Sequence, residues 1–205
     1  MEQQERESII EMDDVIRRTG GFGRFQILTT LILTLSFTSG GYVIYCIPLL
    51  EYMPEDYFCR TSTTAPWEPC DHDAYCSAQY SHSDLRRVDY DSPYSLHNWV
   101  EQLDIYCTNG FELGVLGAVY YLGYLIGNAI FVTPSDVYGR KWFVFAGCML
   151  HSVAYLAMLF SKSLYLNYFL VLMCGTASPM RSNICYVMAL EFVPKTKQVF
   201  VATFI

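Results

Sequence analysis

Apolar residues in this chain come in long blocks and do not alternate with polar ones. No Asp, Glu, Lys or Arg occurs from Ile27 to Leu50, from Leu113 to Thr133 or from Trp142 to Phe160, and Leu164 to Leu190 contains only Arg181. Crossing the hydrocarbon core of a bilayer takes about 20 consecutive apolar residues in a helix. Each block meets that requirement, and a chain of 205 residues is too short to wrap four such helices in protein. The predicted fold class is an all-α membrane protein. Its spans are expected at residues 27–50, 110–133, 142–160 and 164–190, with the start of a fifth at 199–205. Residues 1–26 form a polar head in which Ile9, Met12 and Ile16 fall near one helical face before Gly20, Gly21 and Gly23 interrupt it. This reads as an amphipathic segment lying beside the membrane on its cytoplasmic side.

Charge placement gives the threading. Arg6, Arg17, Arg18 and Arg24 precede the first block, Arg140 and Lys141 lie between the second and third, and Lys195 and Lys197 follow the fourth. These are eight of the 13 basic residues, and segments rich in Lys and Arg stay inside. The amino terminus is therefore expected to be cytoplasmic. The loop at 51–109 and the short turn at 161–163 take the other side. That loop holds eleven acids between Glu51 and Asp104, which supplies most of the net charge of −7 and gives no reason to expect a nucleic-acid partner.

Composition adds two facts. Charged residues make up 16% of the chain, against roughly 25% in soluble domains. Four of the eight cysteines, Cys59, Cys70, Cys76 and Cys107, fall in the long loop. Four cysteines in a non-cytosolic loop suit two disulfides, and three pairings are open. The segment CDHDAYC at 70–76 matches no tight zinc spacing, so no metal site is assigned. Asn-x-Ser/Thr does not occur in the chain. A plasma-membrane location is expected, with an organellar membrane as the alternative.

Between the second and third blocks runs PSDVYGRKW, residues 134–142. Gly139 allows a tight turn, Asp136 suits the amides at the start of the following helix, and Arg140 and Lys141 suit an anionic inner leaflet. The spacing Asp-x-x-Gly-Arg-Lys after a second span resembles the signature turn of the major facilitator superfamily. Further segments resemble one branch of it, the organic cation/anion transporter family. These are GGFGRFQ at 20–26, LLEYMPEDYFC at 49–59, WVEQLDIYCTN at 99–109, Gly123 and Gly127 ahead of Asp136, the spacing of Gly175, Tyr186 and Glu191, and EFVPKTK at 191–197.

The resemblance implies a major facilitator-type amino-terminal helical bundle: four complete spans, the start of a fifth, and a large Cys-containing loop between spans one and two. It departs from the family at Val132, where a Gly is expected, and at Val171, where an Arg belonging to a charge network with the turn acid is expected. A full transporter of this type has twelve spans in two bundles. The expected partners are thus a small organic ion, the lipid bilayer, and a carboxy-terminal bundle or a partner chain that supplies it.

Arg181 is the sharpest candidate, because an arginine within a span is costly and usually functional. It lies about 15 Å before Glu191 at 1.5 Å per residue, near mid-depth. Tyr186, Glu191 and Tyr124 complete the substrate or gating candidates. Tyr42, Tyr45, Tyr120, Tyr121 and Tyr124 are placed to line a cavity, and aromatic faces suit organic cations. Interfacial belts account for tyrosines equally well. His151 is expected to be hydrogen-bonded to a neighbour, Glu112 to face the outer solution, and Gly123-xxx-Gly127 to pack a second span closely. No enzyme signature and no cofactor motif occurs. The function expected is transport of small organic ions by alternating access. The alternative is a transporter-derived structural subunit of a membrane complex.

Overall fold

The computed structural model describes residue 16 and residues 21–77 and 83–205. Most of the head at 1–26 lies outside the described residues. Helix α1 spans Arg24–Leu50. It starts as Gly23 N–H donates to Gln26 Oε1 at 3.2 Å, after Gly21 has turned through a φ of 64°. Its hydroxyls are absorbed internally: Thr34 and Thr38 donate to the carbonyls of Thr30 and Thr34. A helix can carry such residues into lipid because these hydroxyls pair within it; Thr30 Oγ1 is the exception, buried without a partner among the described residues.

The second block is one rod with an irregular middle. Helix α4 covers Gly110–Gly127, a π-helical segment covers Asn128–Val132, and α5 covers Thr133–Tyr138. Pro134 sits in the first turn of α5, where a missing N–H is tolerated. The turn at 134–141 is therefore narrower than expected. Only Gly139, with φ 93°, separates α5 from α6, Arg140–Phe160. The fourth block is broken into α7, Leu164–Arg181, and α8, Asn183–Glu191. The last helix, α9, spans Lys195–Phe204.

Among the described residues three helices are long and apolar enough to cross a membrane: Arg24–Leu50, Gly110–Tyr138 and Arg140–Phe160. Only 18–22% of their most apolar windows is buried. Phe25, Leu35, Leu125, Leu159 and Phe160 point outward, so the surface is built for hydrocarbon and not for water. The fourth block differs because it is the centre of the bundle. From Ala177 to Arg181 every residue of α7 is buried, and α7 makes the most extensive contacts, with α4 and with α6.

The loop at 51–109 folds on itself. Strands β1 (Tyr57–Cys59), β2 (Glu68–Cys70) and β3 (Arg86–Val88) form an antiparallel sheet in the order β2-β1-β3. Helices α2 (His72–Tyr75) and α3 (Trp99–Gln102) flank it. Disulfides join Cys59 to Cys70 and Cys76 to Cys107. The loop is also sewn to the helix ends. Asn98 Nδ2 donates to the carbonyls of Leu49 and Tyr52, and Gln102 Nε2 donates to Ser161 O at 2.8 Å. Its core of Tyr57, Trp99, Val100 and Tyr106 is continuous with Leu116, Tyr120 and Val171 on the helices.

Candidate functional site

Helices α1, α4 and α7 border an open cleft of about 510 Å³. Tyr42 and Tyr45 from α1 and Tyr120, Tyr121 and Tyr124 from α4 all line it, with Ser178 and Ser182 from the α7–α8 break. No ionised side chain lines it among the described residues. Residues 120, 121 and 124 share one helical face by their spacing, and residues 42 and 45 share one on α1. The small residues Gly40 and Gly41 keep the space between them open.

Polar contacts hold the cleft wall. Tyr120 and Ser178 hydroxyls are 2.7 Å apart, and Ser178 also donates to Cys174 O. Tyr124 OH donates to Asn183 Oδ1 at 3.4 Å. Asn183 Nδ2 donates to Asn128 Oδ1 at 2.6 Å, and Asn128 Nδ2 to Tyr124 O at 2.9 Å. This amide pair connects the first residue of the π segment to the first residue of α8, so the two irregular points of the second and fourth blocks are joined directly. Sequence reasoning passed over both residues. The signal available was that Asn128 is the one amide side chain of the second block and Asn183 one of two in the fourth, and an amide among apolar residues is costly without a partner.

Arg181 does not line the cleft. Its side chain is 6% exposed and turns toward α1, where Nη2 donates to Ser36 O at 3.0 Å and to Ser39 Oγ. Its Nε has no partner among the described residues. Tyr186 is half-buried on α8, away from the cleft. His151 corrects an expectation. It is fully buried and contacts Tyr155 ring to ring at 4.7 Å, but neither ring nitrogen has a hydrogen-bond partner among the described residues. Burial on α6 against the Tyr155 ring shuts both nitrogens off from water. Glu112 is exposed at the start of α4.

At the other end of the bundle the signature turn makes a charge cluster. Asp136 does not cap α6. It lies inside α5, and its carboxylate accepts from Arg140 Nε at 3.1 Å and Nη2 at 2.8 Å. Arg140 Nη1 also stands 2.6 Å from Glu191 Oε1 at the end of α8. Val171 is remote from this cluster, about 30 Å up the helix from Glu191 at 1.5 Å per residue, and belongs to the core beneath the loop. The cluster therefore loses no partner through Val171. Lys141 lies over the Trp142 ring, 5.9 Å from its centroid.

The sequence profile of the sugar (and other) transporter family matches residues 29–204. The chain is similar to an uncharacterised protein of Caenorhabditis elegans, 26% identical over 113 residues, which is 55% of this chain and 22% of that protein. It is also similar to an organic cation transporter-like protein of Drosophila melanogaster, 26% identical over 116 residues, 57% of this chain and 20% of that protein. The matches thus cover about a fifth of the length of these curated relatives. Outward apolar helices, a turn built on Asp136, Gly139 and Arg140, and a profile spanning nearly the whole sequence agree: this is a membrane protein of the sugar (and other) transporter family within the major facilitator superfamily, a family of transporters and not of enzymes.

Proposed function

We propose that this chain forms the amino-terminal bundle of a secondary transporter for small organic ions, working by alternating access. The observation that carries the reading is the convergence of five tyrosines from α1 and α4 on one cleft. An aromatic cleft without ionised side chains suits an organic cation, which ring faces attract without a desolvated counter-charge. Transporter substrates bind near mid-membrane between two bundles, and this cleft opens where a second bundle would stand. The bilayer, a small organic ion and the carboxy-terminal bundle or a partner chain are the proposed partners.

Within this reading Tyr124 and Tyr120 contact substrate. Arg181 acts indirectly, holding α7 against α1 beside the cleft. The Asp136–Arg140–Glu191 cluster and Lys141 lie at the cytoplasmic surface, with the amino terminus on the same side. Four complete spans follow, at α1, the α4–α5 rod, α6 and α7–α8, with α9 opening the fifth. The plasma membrane is the proposed location.

Uptake of tetraethylammonium by cells expressing the full native protein tests this. Tyr124→Ala and Tyr45→Ala are expected to raise KM several-fold, the loss of one cation–π contact each. Absence of saturable uptake, together with stable co-purification of an unrelated membrane chain, would instead support the structural-subunit reading.

A further inference from the structure

A second concavity lies on the lipid-facing side, away from the tyrosine cleft. Phe131 of the π segment, Trp142, Phe143, Ala146 and Leu150 of α6, and Met180 of α7 enclose a groove of about 510 Å³ with no polar side chain in its wall. A packed helix pair usually closes such a gap. Here the π segment carries Phe131 at one edge, and the edges are stiff rings, with Phe131 and Phe143 centroids 6.4 Å apart. Met180, 3% exposed, forms the floor.

The mouth of the groove has one ammonium beside it. Trp142 lines it, and Lys141 stands over the Trp142 ring. Arg140 is committed to Asp136 and Glu191, whereas Lys141 has no carboxylate partner among the described residues. The same end carries the start of α6, a 21-residue helix with no side-chain cap, so its free amides and dipole add positive potential. One end of the site thus suits a phosphate and the remainder suits a hydrocarbon chain.

We propose that this groove seats one acyl chain of an anionic glycerophospholipid, with its phosphate at Lys141 and the first turn of α6. The occupant is a lipid and not a soluble phosphate compound, because the walls beyond the mouth offer only apolar contact. The inference rests on the reading of these helices as membrane-embedded and does not require transport.

The test uses the full chain in vesicles of phosphatidylserine and phosphatidylcholine with matched acyl chains, followed by mild detergent extraction and native mass spectrometry of retained lipid. Wild type is expected to retain phosphatidylserine over phosphatidylcholine by about fivefold, the effect of one basic side chain at an anionic headgroup. Lys141→Gln removes that preference while retention of phosphatidylcholine persists. Ala146→Trp, which fills the groove, lowers retention of both lipids several-fold, and Leu150→Asn does so without added bulk. Ala118→Trp, at an exposed position on α4 outside the groove, leaves retention unchanged. The proposal is overturned by equal retention in wild type and both groove variants, by no headgroup preference in wild type, or by displacement of the lipid with excess inorganic phosphate. Recovery of the chain from cells without detergent would overturn the membrane reading itself, a separate failure.

Discussion

Gly123 and Gly175 meet backbone to backbone where α4 crosses α7: a Cβ placed on either would stand 3.1 Å from the other's Cα. A Cβ on Gly175 would also collide with the carbonyl of Tyr120, and one on Gly127 with the carbonyl of Thr176. The contact that places Tyr120 and Tyr124 beside Ser178 and Asn183 thus depends on three missing side chains. In lipid, helices gain little from hiding apolar surface, so close backbone approach and interhelical hydrogen bonds hold them together.

Gly175→Val is expected to destabilise the protein by ~3 kcal/mol or more, because neither colliding group is a movable side chain. Gly123→Leu should behave alike. Gly117→Ala is the control. A Cβ there meets nothing within 4 Å, so the change should be neutral or stabilising by ~0.5–1 kcal/mol. Thermal unfolding of the detergent-solubilised protein, followed by monomer recovery on size exclusion, separates the two classes. Equal effects at positions 117 and 175 would refute the close contact.

Arg140 bridges two carboxylates, Asp136 on α5 and Glu191 on α8. A double-mutant cycle on Arg140→Ala and Glu191→Ala is expected to give a coupling of ~0.2–1 kcal/mol, since Glu191 is more than half exposed and water screens the pair. High salt should shrink it further. Arg140→Lys should not restore stability, because a point ammonium lacks the fork that reaches both acids. Full rescue by Lys would show that charge alone matters there.

Much of this arrangement is legible in the sequence. The Gly123-xxx-Gly127 spacing announces a close helix contact, and residues 42, 45, 120, 121 and 124 fall on common faces by helical period alone. Other features were hidden for definite reasons. Residue count puts Arg181 ten residues before Glu191, but no sequence pattern says whether its guanidinium swings to the cleft or to Ser36 and Ser39 on α1. Asp136 suits a cap by residue type, but it lies inside α5, short of the turn at Gly139. Pro134 falls in the first turn of α5, where it is tolerated, so the rod continues to Tyr138. The Asn128–Asn183 pair depends on two helix irregularities coinciding in space, and a one-dimensional period does not record that. His151 was expected to have a partner because buried polar groups usually do. Its isolation is a property of the packing around it.

The two disulfides should differ in weight. Cys59–Cys70 closes a separation of 11 residues and Cys76–Cys107 one of 31. Loop-closure entropy makes the longer link worth about 1 kcal/mol more. Cys76→Ser with Cys107→Ser is thus expected to lower the unfolding midpoint more than Cys59→Ser with Cys70→Ser. It should also loosen the loop from the start of α4, because Cys107 lies just before Gly110. Limited proteolysis within residues 51–109 provides the second readout. Greater damage from losing the Cys59–Cys70 link would contradict the entropy argument.

Glu51 closes α1 at the seam between helices and loop, and its Oε1 is buried without a hydrogen-bond partner among the described residues. Burial pushes its carboxyl up from 4.5 to about 7. The folded chain therefore binds this proton more tightly than the unfolded chain does. Stability from this group is complete below the unfolded value of 4.5 and is lost as pH rises through about 7. Lowering pH from 8 to 6 should raise the unfolding temperature of the wild-type protein. Glu51→Gln, which cannot ionise, should be the more stable form at pH 8 and should flatten that part of the profile. Other carboxylates titrate alike in both proteins, so the difference between the two curves isolates Glu51. Parallel curves from pH 8 to 6 would mean that the carboxyl is already solvated at the end of α1.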